Sequence, residues 1–195
     1  AGGWWDKGSD GNIIVYAIPN TLAAECDAVP DAPVLTATDN CDATTPVNYN
    51  EIKIDGSCSS NYTLVRTWSV GDDCSNTTSL SQTVNVSDNT LPTFTAPANL
   101  TIYRDASCGY DASVLATGDV TNEADNCGVG EATFSDVVNS TNPCSVIITR
   151  TWSLVDNCGN AAPNQVQTIT VLDNIPPSFT APANLTIYRD ASCGY

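Results

Sequence analysis

The sequence predicts an all-β protein of tandem β-sandwich modules stapled by disulfides, and three observations carry that expectation. Helical periodicity is absent, and short runs of β-branched and aromatic residues alternate with Asn, Asp, Gly and Pro clusters. Residues 94–110 read FTAPANLTIYRDASCGY, and residues 179–195 repeat them letter for letter at an offset of 85. A fixed period of this size marks a repeat architecture. Nine cysteines occur without a single histidine, at wide and regular spacings. That pattern suits a disulfide framework and not a zinc site.

The repeat sets the domain boundaries. Residues 1–90 form a first, diverged module with an atypical N-terminal segment, residues 91–175 a second, and residues 176–195 the start of a third, identical module. Cysteines fall in sets of four, Cys26, Cys41, Cys58 and Cys74, then Cys108, Cys127, Cys144 and Cys158. Cys193 opens a third set, so its partner is expected outside the chain, and the array is expected to continue past Tyr195.

In the second module, strands are expected over residues 99–103, 110–117, 131–138, 145–155 and 165–172. In the first they are expected over 12–16, 34–38, 48–54, 62–70 and 81–86, with 12–16 as the counterpart of 99–103. Asp55-Gly56 between two such runs is a hairpin signal, read here as a need for positive φ. Short strands in units of this length predict an immunoglobulin-like sandwich. Along the run through Arg150, Ile148, Trp152 and Leu154 share a face with the arginine, while Thr149, Thr151 and Ser153 face away. Trp68 and Trp152 are therefore expected as core residues, and Arg66 and Arg150 must each find a carboxylate or the rim.

Four cysteines per module allow three connectivities. Taking the two strands flanked by cysteines as strands B and F of the sandwich, the expected pairs are Cys26–Cys58, Cys41–Cys74, Cys108–Cys144 and Cys127–Cys158. Each loop of that length contributes about 3–4 kcal/mol, a large share for so small a domain.

Charge excludes some partners. Twenty-two acidic residues against six basic give a net charge of −16, which repels phosphate backbones and anionic lipids. No stretch approaches the ~20 apolar residues that span a bilayer. Cysteine usage predicts an extracellular or cell-surface location, and the lack of any Met fits removal of a signal peptide.

Enzymatic readings find little. Without histidine there is no Ser-His or Cys-His nucleophile, acid pairs such as Asp72-Asp73 sit in polar turns, and no phosphate-cradling loop occurs, so no enzyme and no obligatory cofactor is expected. Calcium is the one cofactor candidate. Asp88, Asn89, Asp173 and Asn174 place hard oxygen donors at the module junctions, although Asx side chains also cap their own turns without a metal. Asn61, Asn76, Asn85, Asn99, Asn139 and Asn184 each begin an Asn-x-Ser/Thr sequon. Trp4 and Trp5 are interface candidates, since neighbouring strand residues point oppositely and both cannot enter one core; a lid over the first module is the other reading.

Several pieces in register, Thr38-Asp39-Asn40-Cys41, Arg150-Thr151-Trp152, Asp156-Asn157-Cys158-Gly159-Asn160 and Leu172-Asp173-Asn174-Ile175-Pro176-Pro177, resemble the HYR-like (hyalin-repeat-like) modules of large secreted bacterial surface proteins, including gliding adhesins. The segment Trp4-Trp5-Asp6-Lys7-Gly8 departs from that pattern. The resemblance implies a tandem array serving adhesion or forming an extended stalk or filament, with neighbouring copies as partners and no catalytic residues. A carbohydrate- or receptor-binding module, with surface glycans or other cells as partners, is the alternative.

Overall fold

The computed structural model describes residues 18–40, 45–142 and 144–194, together with the backbone of two short strands, 5–7 and 13–15. The chain is all-β. In the first module β1 (Trp5–Lys7) pairs with β2 (Ile13–Val15), and a four-stranded sheet follows from β3 (Thr21–Glu25), β4 (Asn48–Asp55), β5 (Tyr62–Gly71) and β6 (Thr77–Ser87) in the order β3-β6-β5-β4. The second module has β7 (Thr93–Thr95), β8 (Leu100–Tyr103), a one-turn helix α1 (Val114–Thr117), β9 (Thr121–Ala124), β10 (Thr133–Asn139), β11 (Ser145–Ser153) and β12 (Gln165–Leu172). Its main sheet runs β8-β12-β11-β10, and β7 pairs with β9 in a second layer.

The two main sheets are copies. In each, the first strand is parallel to the last, with Leu22 opposite Val84 and Leu100 opposite Ile169. This register overturns the expected match of 12–16 with 99–103: Thr21–Glu25 takes that place, and Ile13–Val15 pairs with β1 instead. The β-branched run drew attention to the wrong segment because Thr-Leu-Ala-Ala-Glu has weak strand propensity and is held by β6.

Alternation along β11 is complete, with Val146, Ile148, Arg150 and Trp152 buried between half-exposed neighbours. In the second module, Phe94, Trp152, Leu154 and Ala162 form one cluster and Val146, Ile148, Ile169 and Val171 another. The first module packs Leu64, Val84 and Val86 under Leu22, Ala24 and Val29. Its covering layer includes the irregular segment over the expected strand 34–38. No strand forms over 34–38, and just ahead of it two main-chain carbonyls accept from the sheet's own side chains, Pro33 O from Trp68 Nε1 at 3.2 Å and Pro30 O from Arg66 Nη2 at 2.7 Å.

The expected strand 110–117 is also replaced, by α1. Ser113, an extended residue, precedes it, and the Ser113 carbonyl accepts both the Ala116 and Thr117 amides. The hairpin between β4 and β5 forms, with Gly56 N–H donating to the Asn61 carbonyl at 2.8 Å. Gly56 is required for close approach and not for positive φ: a Cβ would collide with the Asn61 carbonyl.

Each buried arginine finds its carboxylate. Arg66 Nε meets Glu51 Oε2 at 2.8 Å, and Arg150 binds Asp136 through two bonds. Beside them, Tyr49 packs on Trp68 with ring centroids 5.3 Å apart, and Phe134 on Trp152 at 5.0 Å. The acids and the smaller aromatics come from the edge strands β4 and β10, so each edge strand is pinned to its sheet by one ion pair and one ring contact.

Candidate functional site at the module junction

The two disulfides found do not staple modules internally; they join them. Cys26, just after β3, pairs with Cys127, and Cys58, ahead of β5, pairs with Cys158, with Cα–Cα separations of 6.1 and 5.2 Å. The expected pairs Cys26–Cys58 and Cys127–Cys158 are thereby replaced. The expected pair Cys108–Cys144 is not formed, since both residues are exposed and free, as are Cys74 and Cys193. Cys41, the expected partner of Cys74, lies outside the described residues. The physical reason is that the four bridged cysteines sit in loops at facing module ends. The first module's first and third face the module that follows, where the second and fourth cysteines of that module lie.

Turn chemistry positions these loops. Asp156 Oδ1 accepts the Cys158 and Asn160 amides at 2.8 Å each, and Asn160 Nδ2 donates to Asp156 Oδ2 at 2.7 Å. The first module repeats this turn, with Asn76 N–H and Nδ2 donating to the two oxygens of Asp72 at 2.7 and 2.6 Å. Gly159, at φ 97°, occupies the left-handed position filled by Ser75, at φ 71°, in the first copy. Asp125 Oδ1 likewise accepts the Cys127 amide at 2.7 Å. Asx turns of this kind fix a loop without help from the core.

Further bonds cross the junction. Ser60 Oγ donates to the Cys127 carbonyl at 3.0 Å, and Asn160 Nδ2 to the Asp88 carbonyl at 3.1 Å. Asp88, the residue after β6, is 4% exposed. Its amide donates to Asn61 Oδ1 at 2.9 Å, and its Oδ1 accepts the Thr90 amide at 3.2 Å. Burial raises the Asp88 carboxyl above the usual carboxylate range, and the nearby charges of Asp125, Asp156 and Glu25 push the same way against the Thr90 bond. Burial also raises Asp156, but the bonds from Asn160, Cys158 and Gly159 outweigh it and hold that acid low.

The other sequence candidates are dispersed. Asn89 is exposed and bonds both oxygens of Glu25. Asp173 and Asn174, the repeat counterparts of Asp88 and Asn89, are exposed, and Asp173 Oδ1 accepts the Ile175 amide at 3.0 Å. Trp4 lies outside the described residues, and Trp5 begins β1. Of the sequon residues, Asn85, Asn99, Asn139, Asn184 and Asn76 are exposed and Asn61 is half-buried. The amide nitrogens of Asn61 and Asn76 donate to Ser57 and Asp72.

Sequence reasoning missed Glu25, Asp125 and Asp156 as junction acids. Asp125 and Asp156 each stand two residues before a cysteine, and that spacing was the available signal. Among the described residues, no helix is long and apolar enough to cross a membrane.

No family model matches the chain, and no curated protein matches it. Among solved structures it is similar to Drosophila N-cadherin EC1-4, at 12% identity and a TM-score of 0.30, over 82% of this chain and 49% of that one. The chain thus spans about half of that neighbour's length.

Proposed function

We propose that this chain is a structural or adhesive repeat of an extracellular surface protein, extending as a stalk or filament of the HYR-like kind. The carrying observation is the staggered disulfide pattern. The first cysteine of one module bonds the second of the next, and the third bonds the fourth. Continued by one module, that rule commits the exposed Cys108 and Cys144 to a following unit. The exposed Cys74, with Cys41, is left for a preceding one. The unit so joined is another module of the array or a second copy of the chain. Forming each bridge removes two protons and two electrons from a pair of thiols, and an oxidised dithiol catalyst of the secretory compartment accepts them by exchange.

Core placement of the tryptophans favours this reading over a glycan-binding one. Trp68 and Trp152 are 4% and 1% exposed, leaving neither free to stack on a sugar ring. An enzymatic role has no histidine to draw on.

Electron microscopy of the native, unreduced protein, paired with reducing and non-reducing electrophoresis, tests the proposal. Ordered filaments or strings with a regular axial repeat, resistant to denaturant until reduced, are the expected result. Isolated particles that stay monomeric without reductant would reject it in favour of a binding module.

A further inference from the structure

We propose that the module junction is a calcium site, with the carboxylates of Asp88 and Asp125 as protein ligands and Glu25 at its edge. The site depends on the junction alone and not on whether the modules extend into a filament.

Acids clustered on a surface are ordinarily solvated, but these are not. Asp88 Oδ2 and Asp125 Oδ2 are both buried, and neither has a hydrogen-bond partner. A buried carboxylate oxygen without a donor is costly unless a cation compensates it. Among the described residues no Lys or Arg pairs with these acids, the ion pairs of Lys53, Arg66 and Arg150 all lying elsewhere. The ligand atoms of Asp88, Asp125 and Cys127 lie within 4.8 Å of one another, as do those of Glu25, Cys26 and Asp88. Two oxygens sharing one calcium at about 2.3–2.6 Å stand at most about 5 Å apart, so the spacing fits.

The donor set selects the metal. Cys26 and Cys127 are joined in a disulfide, so they offer no thiolate, and the chain has no histidine. Carboxylates alone suit a hard cation. The acids come from loops of two different modules, an irregular frame that suits the variable coordination of calcium better than the strict octahedron of magnesium. Asp156 contributes charge and not ligand atoms, because Asn160, Cys158 and Gly159 occupy its carboxylate. An ion held between Asp88 of the first module and Asp125 of the second would clamp the two together beside the Cys26–Cys127 bridge.

Calcium titration of the oxidised full chain at fixed ionic strength, followed by calorimetry and thermal unfolding, tests the site. Saturable binding with a midpoint of about 0.1–1 mM is expected, the range of extracellular modules, with a rise in Tm as sites fill. Asp88→Asn and Asp125→Asn should each weaken binding about tenfold or more, whereas Asp173→Asn, at the exposed repeat counterpart, should leave it unchanged. In chelator, Asp88→Asn should keep both disulfides and melt at or above the wild-type temperature, which separates a lost ligand from a lost fold. No saturable uptake by the wild type, full binding by Asp88→Asn, or an Asp88→Asn chain that melts lower in chelator would each overturn the proposal.

Discussion

Arg150 grips Asp136 at two points, Nε to Oδ1 and Nη2 to Oδ2, both at 2.8 Å, while its own side chain is 2% exposed. The same guanidinium donates to Thr117 Oγ1 and the Ala112 carbonyl and lies over the Phe134 ring, 4.1 Å from its centroid. One residue thereby ties the edge strand β10, the helix α1 and the segment before it to the central strand β11. Removing the acid leaves a buried cation without its counter-ion, so Asp136→Ala should cost about 2–4 kcal/mol. Glu51→Ala should cost less, since Glu51 is 35% exposed and meets Arg66 through one oxygen, where water can substitute. Denaturant unfolding of both variants decides the order, and a larger loss for Glu51→Ala would contradict it.

The two core tryptophans differ in one atom's fate. Trp68 Nε1 donates to the Pro33 carbonyl, whereas Trp152 Nε1 is buried without a partner. Phenylalanine at 68 deletes volume and strands a carbonyl; at 152 it deletes volume and removes an orphan donor. Trp152→Phe should therefore be the milder change, by roughly 1 kcal/mol. Trp152→Ala should cost about 3–5 kcal/mol. Paired urea melts give both comparisons.

Acid affects two carboxylates of the first module in opposite senses. The bond from Arg66, then that from Tyr49, holds Glu51 below its ordinary value of 4.5. Its contribution is therefore present above 4.5 and is lost as pH falls through the lower folded value. Burial raises Asp88 above 3.8, so its contribution is full below 3.8 and is lost as pH rises through the raised folded value. Glu51→Gln should flatten the acid limb of the stability profile. Asp88→Asn, in chelator, should gain most at neutral pH. A pH series of thermal melts reads both, and matching profiles for wild type and Glu51→Gln would refute the first.

The disulfide pattern makes a direct chemical prediction. Non-reducing peptide mapping should recover Cys26 linked to Cys127 and Cys58 linked to Cys158, with no Cys26–Cys58 peptide. Replacing both members of either bridge with serine should lower stability by about 2–4 kcal/mol. It should also loosen one module against the other, visible as cleavage at the junction by a protease that spares the wild type.

Local chemistry was legible in the sequence and long-range choice was not. The alternation through Val146, Ile148, Arg150 and Trp152 specified a strand and its buried face, and the need of each arginine for a carboxylate followed from burial alone. Two strands compete for one place beside β6, however, and propensity favoured Ile13–Val15 over the Thr21–Glu25 that takes it. Pairing of cysteines is a similar case. Positions at module ends were readable, but whether an end faces its own module or the next depends on how the two pack. Asp88 shows the same dependence. Its burial requires a folded neighbour, and its counterpart Asp173 is exposed.

The repeated 94–110 sequence separates these two kinds of information within one molecule. Phe94 is 6% exposed and Phe179 is 94% exposed, although the sixteen residues that follow each are identical. Leu100–Tyr103 forms β8 beside β12, while residues 185–188 form no strand. The turn survives in both copies: Asp105 Oδ1 accepts the Ser107 and Gly109 amides at 2.8 Å, and Asp190 Oδ1 accepts those of Ser192 and Gly194 at 2.8 and 2.9 Å. Hydrogen exchange should show the distinction without correction, because identical neighbours give identical intrinsic rates. The Arg104 amide, bonded to the Leu172 carbonyl at 2.9 Å, should exchange at least about 100-fold more slowly than that of Arg189. The Gly109 and Gly194 amides, held only by their local turns, should differ far less. NMR is the suitable readout, since peptides of identical sequence share one mass. Equal protection of Arg104 and Arg189 would mean that residues 179–194 dock as a strand in solution.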